Sequence, residues 1–154
     1  MHTILDAEQK RAAVLPAGLG LPLNVIGNRI VQKLTLDDTA GAYYVFEVET
    51  PPGNGVPLHV HRHEDEIIYL LEGQLDIQLQ GEHRARSGDT IHFPRFVPHA
   101  FRNTSDRVAR TLWTVIPGTR FAQFFQELGA LPAGPPDLVM VSAIFRRYEI
   151  ELLP

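Results

Sequence analysis

The chain contains no cysteine. Disulfide frameworks, thiolate metal sites and cysteine nucleophiles are excluded together. It also lacks any apolar run near the roughly 20 residues that a membrane-crossing helix needs. The apolar stretch over residues 14–26 is interrupted by Pro16, Gly18, Gly20 and Pro22. The opening residues, MHTILDAEQKRAAV, mix acidic and basic side chains and offer no apolar region for a secretory signal. Positive charge is not in excess either: the formal net charge is -4 at pH 7, whereas a nucleic-acid binder usually shows a basic face or stripe. The expectation is a cytoplasmic protein with neither membrane nor nucleic acid as partner. The fingerprints GxSxG, P-loop and GxGxxG are missing as well.

What is present suits one globular domain spanning residues 1–154. At 154 residues, with 44% apolar and 21% charged side chains, the chain can bury about two-thirds of its unfolded surface without a staple. Residues 1–23 read as an arm, polar first and then rich in Pro and Gly. From about residue 29 to 117 short strands alternate with turns. Candidate strands lie at 30–34, 42–50, 74–80, 90–93, 99–103 and 108–116, with a turn at 37–41 and a loop over 51–55. Leu75, Ile77 and Leu79 alternate with polar residues, the pattern of a half-buried strand. Regular short strands point to an all-β sandwich or barrel rather than to βαβ units.

Residues 119–154 change character and read as a helical extension. Phe121, Phe124, Phe125 and Leu128 share one helical face, with Thr119 as candidate N-cap and Gly129 as stop. That stripe is expected against the barrel exterior or a partner. Residues 131–136 form a linker. Asp137 then caps a second helix to about residue 148, although Val139, Val141 and Ile144 leave a strand open. This last element is expected to cap the barrel mouth.

Chemistry concentrates in Leu58-His59-Val60-His61-Arg62-His63-Glu64-Asp65-Glu66. Residues two apart in a strand share a face with Cα atoms about 6.5 Å apart, so His59 and His61 can address one ion. Glu66 lies an odd number of residues onward and would face away in an unbroken strand. The metal reading therefore requires a turn over residues 62–65. His63 keeps the parity but sits among acidic residues, where a surface role is expected.

The full spacing is Gly53-x5-His59-x-His61-x4-Glu66-x6-Gly73, followed by Gly88-x5-Pro94-x-Phe96-x2-His99-x3-Asn103. This resembles the two signature motifs of the cupin superfamily, with one departure: Phe96 stands where the family usually has glycine. The resemblance implies a double-stranded β-helix (jelly-roll) antiparallel barrel with His59, His61, Glu66 and His99 as metal ligands. By ligand type the set suits one divalent iron, manganese, nickel, cobalt, copper or zinc ion. Glu66 could serve both as ligand and as proton acceptor. Ile68 and Leu70 follow Glu66 inward, Phe101 follows His99, and Tyr44, Phe46, Phe93 and Trp113 are further pocket candidates.

Within the superfamily the chain is similar to quercetinase-like monocupins, which implies a metal-dependent dioxygenase acting on a small organic substrate, planar or hydrophobic. Two other classes stay open: a non-catalytic small-molecule binding or sensing module, and a metal-dependent isomerase or lyase. A homodimer is expected, because open sheet edges need cover.

Overall fold

The computed structural model describes residues 10–154; the first nine residues of the expected arm lie outside the described residues. In chain order the elements are β1 (Leu21–Val25), β2 (Asn28–Leu34), α1 (Leu36–Thr39), β3 (Tyr44–Thr50), β4 (Gly55–His61) and β5 (Asp65–Glu72). There follow β6 (Gln74–Gln78), β7 (Glu82–Arg86), β8 (Thr90–Phe93), β9 (His99–Arg102) and β10 (Ala109–Ile116). The chain finishes with α2 (Thr119–Gly129), α3 (Leu138–Arg147) and β11 (Ile150–Leu152). Among the described residues no helix is long and apolar enough to cross a membrane.

Two antiparallel sheets face one another. One runs β1-β2-β3-β10-β5-β8 and the other β11-β4-β9-β6-β7. Strict alternation decides which side chains enter the space between them. On β3, Tyr44, Phe46, Val48 and Thr50 point inward; on β5, Glu66, Ile68 and Leu70 do; on β10, Ala109, Thr111, Trp113 and Val115. Trp113 keeps its indole N–H satisfied in this interior by donating to Thr111 Oγ1 at 2.7 Å.

Several local expectations are corrected. The arm does not run to residue 23: Leu21 onward forms β1, and Pro22 is tolerated because β1 is a sheet edge. The turn at 37–41 contains a short helix, α1, closed by a capping box in which Thr35 and Asp38 bond reciprocally. The N-cap of α2 is Gly118 rather than Thr119, and Gly129 is the last helical residue with Ala130 as C-cap. Asp137 does cap α3, accepting from the backbone N–H groups of Val139 and Met140, so the strand alternative for that segment falls. Sequence pattern did not reveal β11, a three-residue strand that brings the C-terminus back against β4.

Helix α2 also packs differently from the expectation. The phenylalanine stripe of α2 enters the barrel mouth instead of lying on the exterior. Phe121 stacks on Phe46 with centroids 5.9 Å apart, and Phe125 meets Phe46 edge-on at 4.9 Å. Helix α3 backs α2 through Phe145 against Phe124 at 5.0 Å. An apolar stripe this wide is hidden most completely where it meets the open end of a barrel lined with aromatic rings.

Candidate metal centre

His59 and His61 end β4, and the chain turns over residues 62–64 before β5 starts at Asp65. That turn carries Glu66 into the opposing sheet with its side chain inward. His99 opens β9 directly across from His59 in the antiparallel ladder. Three histidines from one sheet and one glutamate from the other therefore converge. Ligand atoms of His59, His61, Glu66 and His99 all lie within 4.8 Å of one another, and all four residues are buried.

The rings are oriented from behind. His59 Nδ1 lies 2.8 Å from the carbonyl oxygen of Pro57, and His99 Nδ1 lies 2.9 Å from that of Val97. A carbonyl can only accept, so both Nδ1 atoms carry the proton and donate it, which leaves a bare Nε2 lone pair facing the cluster in a neutral ring. His61 Nδ1 lies 3.4 Å from Glu64 Oε2, a long hydrogen bond between two buried groups. Phe93 stacks on the His99 ring at 4.0 Å and fixes its plane.

The electrostatics favour a cation at the point of convergence. His99 Nε2 and Glu66 Oε2 are 3.0 Å apart, yet neither has a hydrogen-bond partner of acceptable geometry. A lone pair facing a carboxylate oxygen in a dry interior is costly unless something positive lies between them. Burial, reinforced by the neighbouring His61 and His99, pushes the His59 pKa down to about 3, so that ring is neutral. Burial works against the ionised form of Glu66, but the facing imidazoles outweigh it and hold its carboxyl below the ordinary range. Burial likewise opposes a charge on His61, and Glu66 with Glu64 overcomes it, so its pKa rises. Three nitrogens and one carboxylate oxygen fit a divalent transition ion.

The cluster opens on a cavity of ≈ 70 Å³. Of the expected pocket residues, Phe46, Phe101 and Trp113 line it. Tyr44, Ile68 and Phe93 are buried but do not: the Tyr44 hydroxyl donates to Gln32 at 2.8 Å, Ile68 packs in the core, and Phe93 supports His99. Leu70 is also core. Sequence reasoning missed the lining contributed by Phe121, Phe124, Phe125 and Phe145. The stripe of α2 was visible, but nothing local says that it enters the barrel mouth; α3, the element expected at that mouth, adds Phe145 to the cavity wall. Glu64 was missed too, since a glutamate in a polar turn carries no sign that it is buried. His63 lies half-exposed against Glu149 and takes no part in the cluster.

Phe96 occupies the left-handed region at φ +66° and is exposed, with its N–H donating to the carbonyl oxygen of His61 at 2.8 Å. The turn thus keeps the glycine-like conformation without glycine, and His99 keeps its register.

Comparison with known proteins agrees with this architecture. Residues 46–115, which hold all four clustered side chains, match the family model described as cupin domain. The chain is 31% identical over 93 residues to quercetin 2,3-dioxygenase of Bacillus subtilis, a match covering 60% of this chain but 27% of that enzyme. Among solved structures, a predicted oxalate decarboxylase of Thermotoga maritima superposes with a TM-score of 0.61 at 23% identity, covering 68% of this chain and 99% of the other. The polyketide cyclase RemF of Streptomyces resistomycificus gives a TM-score of 0.60 at 24% identity, over 69% and 80% of the two chains. At such identities these two likenesses speak for the fold alone. The paired sheets, the converging histidines and the matched segment together make this chain a cupin-domain protein.

Proposed function

We propose that the protein is a metal-dependent oxygenase acting on a small, largely apolar organic substrate held at the barrel mouth. One observation carries the reading: the buried His59, His61, Glu66 and His99 cluster faces a cavity walled by aromatic rings. The similarity to a quercetin dioxygenase supports it, although that match covers only a quarter or so of the enzyme's length.

The chain's own residues would divide the work as follows. The Nε2 atoms of His59, His61 and His99 and the carboxylate of Glu66 hold one divalent iron, manganese, nickel, cobalt, copper or zinc ion. When bound, the ion supplies a Lewis-acidic and, for the redox-active metals, electron-accepting centre. Phe46, Phe101, Trp113 and the α2 phenylalanines exclude water and orient a planar group against the cluster. Glu66, with one carboxylate oxygen on the ion, would use the other to accept a substrate proton. The direct test is oxygen uptake by metal-loaded protein over a panel of aromatic and enol substrates. Substrate-dependent uptake, absent in Glu66→Gln, is expected.

A second reading has one observation in its favour. The cavity of ≈ 70 Å³ is well below the roughly 300–1,000 Å³ of ordinary ligand pockets. A binding module, or an isomerase or lyase working on a small molecule, needs less room. Ligand binding without oxygen uptake would favour it over the oxygenase.

A further inference from the structure

Glu64 is a buried carboxylate that the proposed chemistry leaves unused. It is 1% exposed, in a turn whose other members, Arg62 and His63, are on the surface. Burying an ionised carboxylate is expensive unless a compensating charge or a strong hydrogen bond stands against it. Arg95, close enough to feel the charge of Glu64, is committed elsewhere: its guanidinium grips both oxygens of Asp65 at 3.0 and 2.9 Å, and its backbone N–H donates to Asp65 Oδ1 at 2.8 Å. Glu64 Oε2 instead faces the Nδ1 of His61, at 3.4 Å.

His61 differs in this from the other two rings. His59 and His99 each fold back onto the carbonyl two residues earlier, Pro57 and Val97. His61 ends its strand and has a carboxylate behind it instead. A carboxylate on Nδ1–H fixes the tautomer, as a carbonyl does, and also makes Nε2 a stronger donor to a metal. It changes the charge of the whole site as well. With a divalent ion held on their Nε2 atoms the three imidazoles would be neutral, and the carboxylates of Glu66 and Glu64 would together balance its two charges.

We propose that Glu64 is the positioning residue of the metal centre: without touching the ion, it aims His61 and makes the buried site electroneutral around a divalent cation. This rests on the metal reading above. It predicts graded losses, because Glu64→Gln keeps an acceptor for Nδ1–H but removes the charge, while Glu64→Leu removes both.

The experiment uses the full chain and zinc as the probe. Zinc affinity is measured by competition with a chelator for the unaltered chain, Glu64→Gln and Glu64→Leu. The imidazole N–H protons of the zinc-loaded proteins are followed by NMR with ¹⁵N labelling. The expected result is a loss of affinity of about 10- to 100-fold for Glu64→Leu, with Glu64→Gln between the two. The His61 Nδ1–H resonance should move upfield in Glu64→Gln, while those of His59 and His99, held by backbone carbonyls, stay in place. A merely structural glutamate would not move one ring's proton and spare the others. Affinities within twofold of the unaltered chain, or an unmoved His61 proton, would overturn the role. If Glu64→Leu does not fold, the near-isosteric Glu64→Gln decides alone by the same two readouts. Failure of the unaltered chain to bind zinc or any other divalent transition ion would instead overturn the metal reading, and this role with it.

Discussion

At the residue scale, the centre depends on side chains that are individually ordinary and jointly expensive. An Nε2 lone pair and a carboxylate oxygen held 3.0 Å apart in a dry interior repel unless a cation separates them. Phe96 shows a separate cost. An L-residue at φ +66° is strained by about 1–2 kcal/mol, and the exposed ring recovers little by packing. Phe96→Gly is accordingly expected to raise stability by about 1 kcal/mol, net of glycine's larger entropy in the unfolded chain. Chemical denaturation of the two proteins measures it; an unchanged or lowered midpoint would mean that the phenyl ring has a contact worth more than the strain.

Arg95 and Asp65 belong to the same scale but act on two elements. Their fork joins the loop before β9 to the first residue of β5, the two segments that deliver His99 and Glu66. Arg95 holds the Asp65 carboxyl below the ordinary carboxylate range, chiefly by the side-chain hydrogen bond. A carboxylate whose folded pKa is depressed stabilises the protein above its unfolded pKa, near 4, and loses that contribution as pH falls through the folded value. Arg95→Ala should therefore lower the denaturation midpoint at neutral pH, and by progressively less in acid. Denaturation curves at pH 7 and pH 3 check this; an equal loss at both would show that packing, not charge, is responsible.

At the scale of elements, α2 is the piece that turns an open barrel into a closed one. Phe121 contacts Phe46, Phe125 and His61 with centroids 5.9, 4.6 and 5.7 Å away. Phe121→Ala should cost about 3–5 kcal/mol in stability through lost burial and the void left behind, and should enlarge the space beside the cluster. Thermal or denaturant unfolding reads the first effect, and tighter binding of a bulkier aromatic ligand reads the second. A loss below about 1 kcal/mol would mean that α2 is only loosely seated.

What could be read from the chain follows the range of each interaction. Period-two alternation placed Ile68 and Leu70 on the face of Glu66 and Phe101 on that of His99, because a strand dictates its own faces. The turn between His61 and Asp65 was required by parity and is there. The docking of α2 into the mouth, the return of β11 to β4 and the burial of Glu64 were not legible. Each is decided by contacts across dozens of residues, and a helical stripe or a polar turn looks the same whatever it packs against. Tyr44 and Phe93 show the same limit from the other side, since parity gives the inward face but not the depth at which a side chain ends.

At the scale of the whole molecule, two sheets clasp one centre: β4 and β9 supply the histidines and β5 the glutamate. The site thus exists only when the sheets are packed, and metal binding should stabilise the folded chain by linkage. Among the described residues, Val14, Leu15, Leu19 and Leu21 near the N-terminus and Leu138, Val139 and Met140 at the start of α3 are exposed apolar side chains. We propose that a second copy covers part of them. Sedimentation at micromolar concentration should give the mass of a dimer, and a monomer would contradict that proposal without touching the metal centre.

The central claim is the metal centre itself. Its most direct test is metal content by mass spectrometry on untagged protein purified without added metal, set beside His61→Ala. The account predicts close to one divalent transition ion per chain in the unaltered protein and its loss in the variant. No metal in either protein, even after reconstitution with each candidate ion, would contradict it.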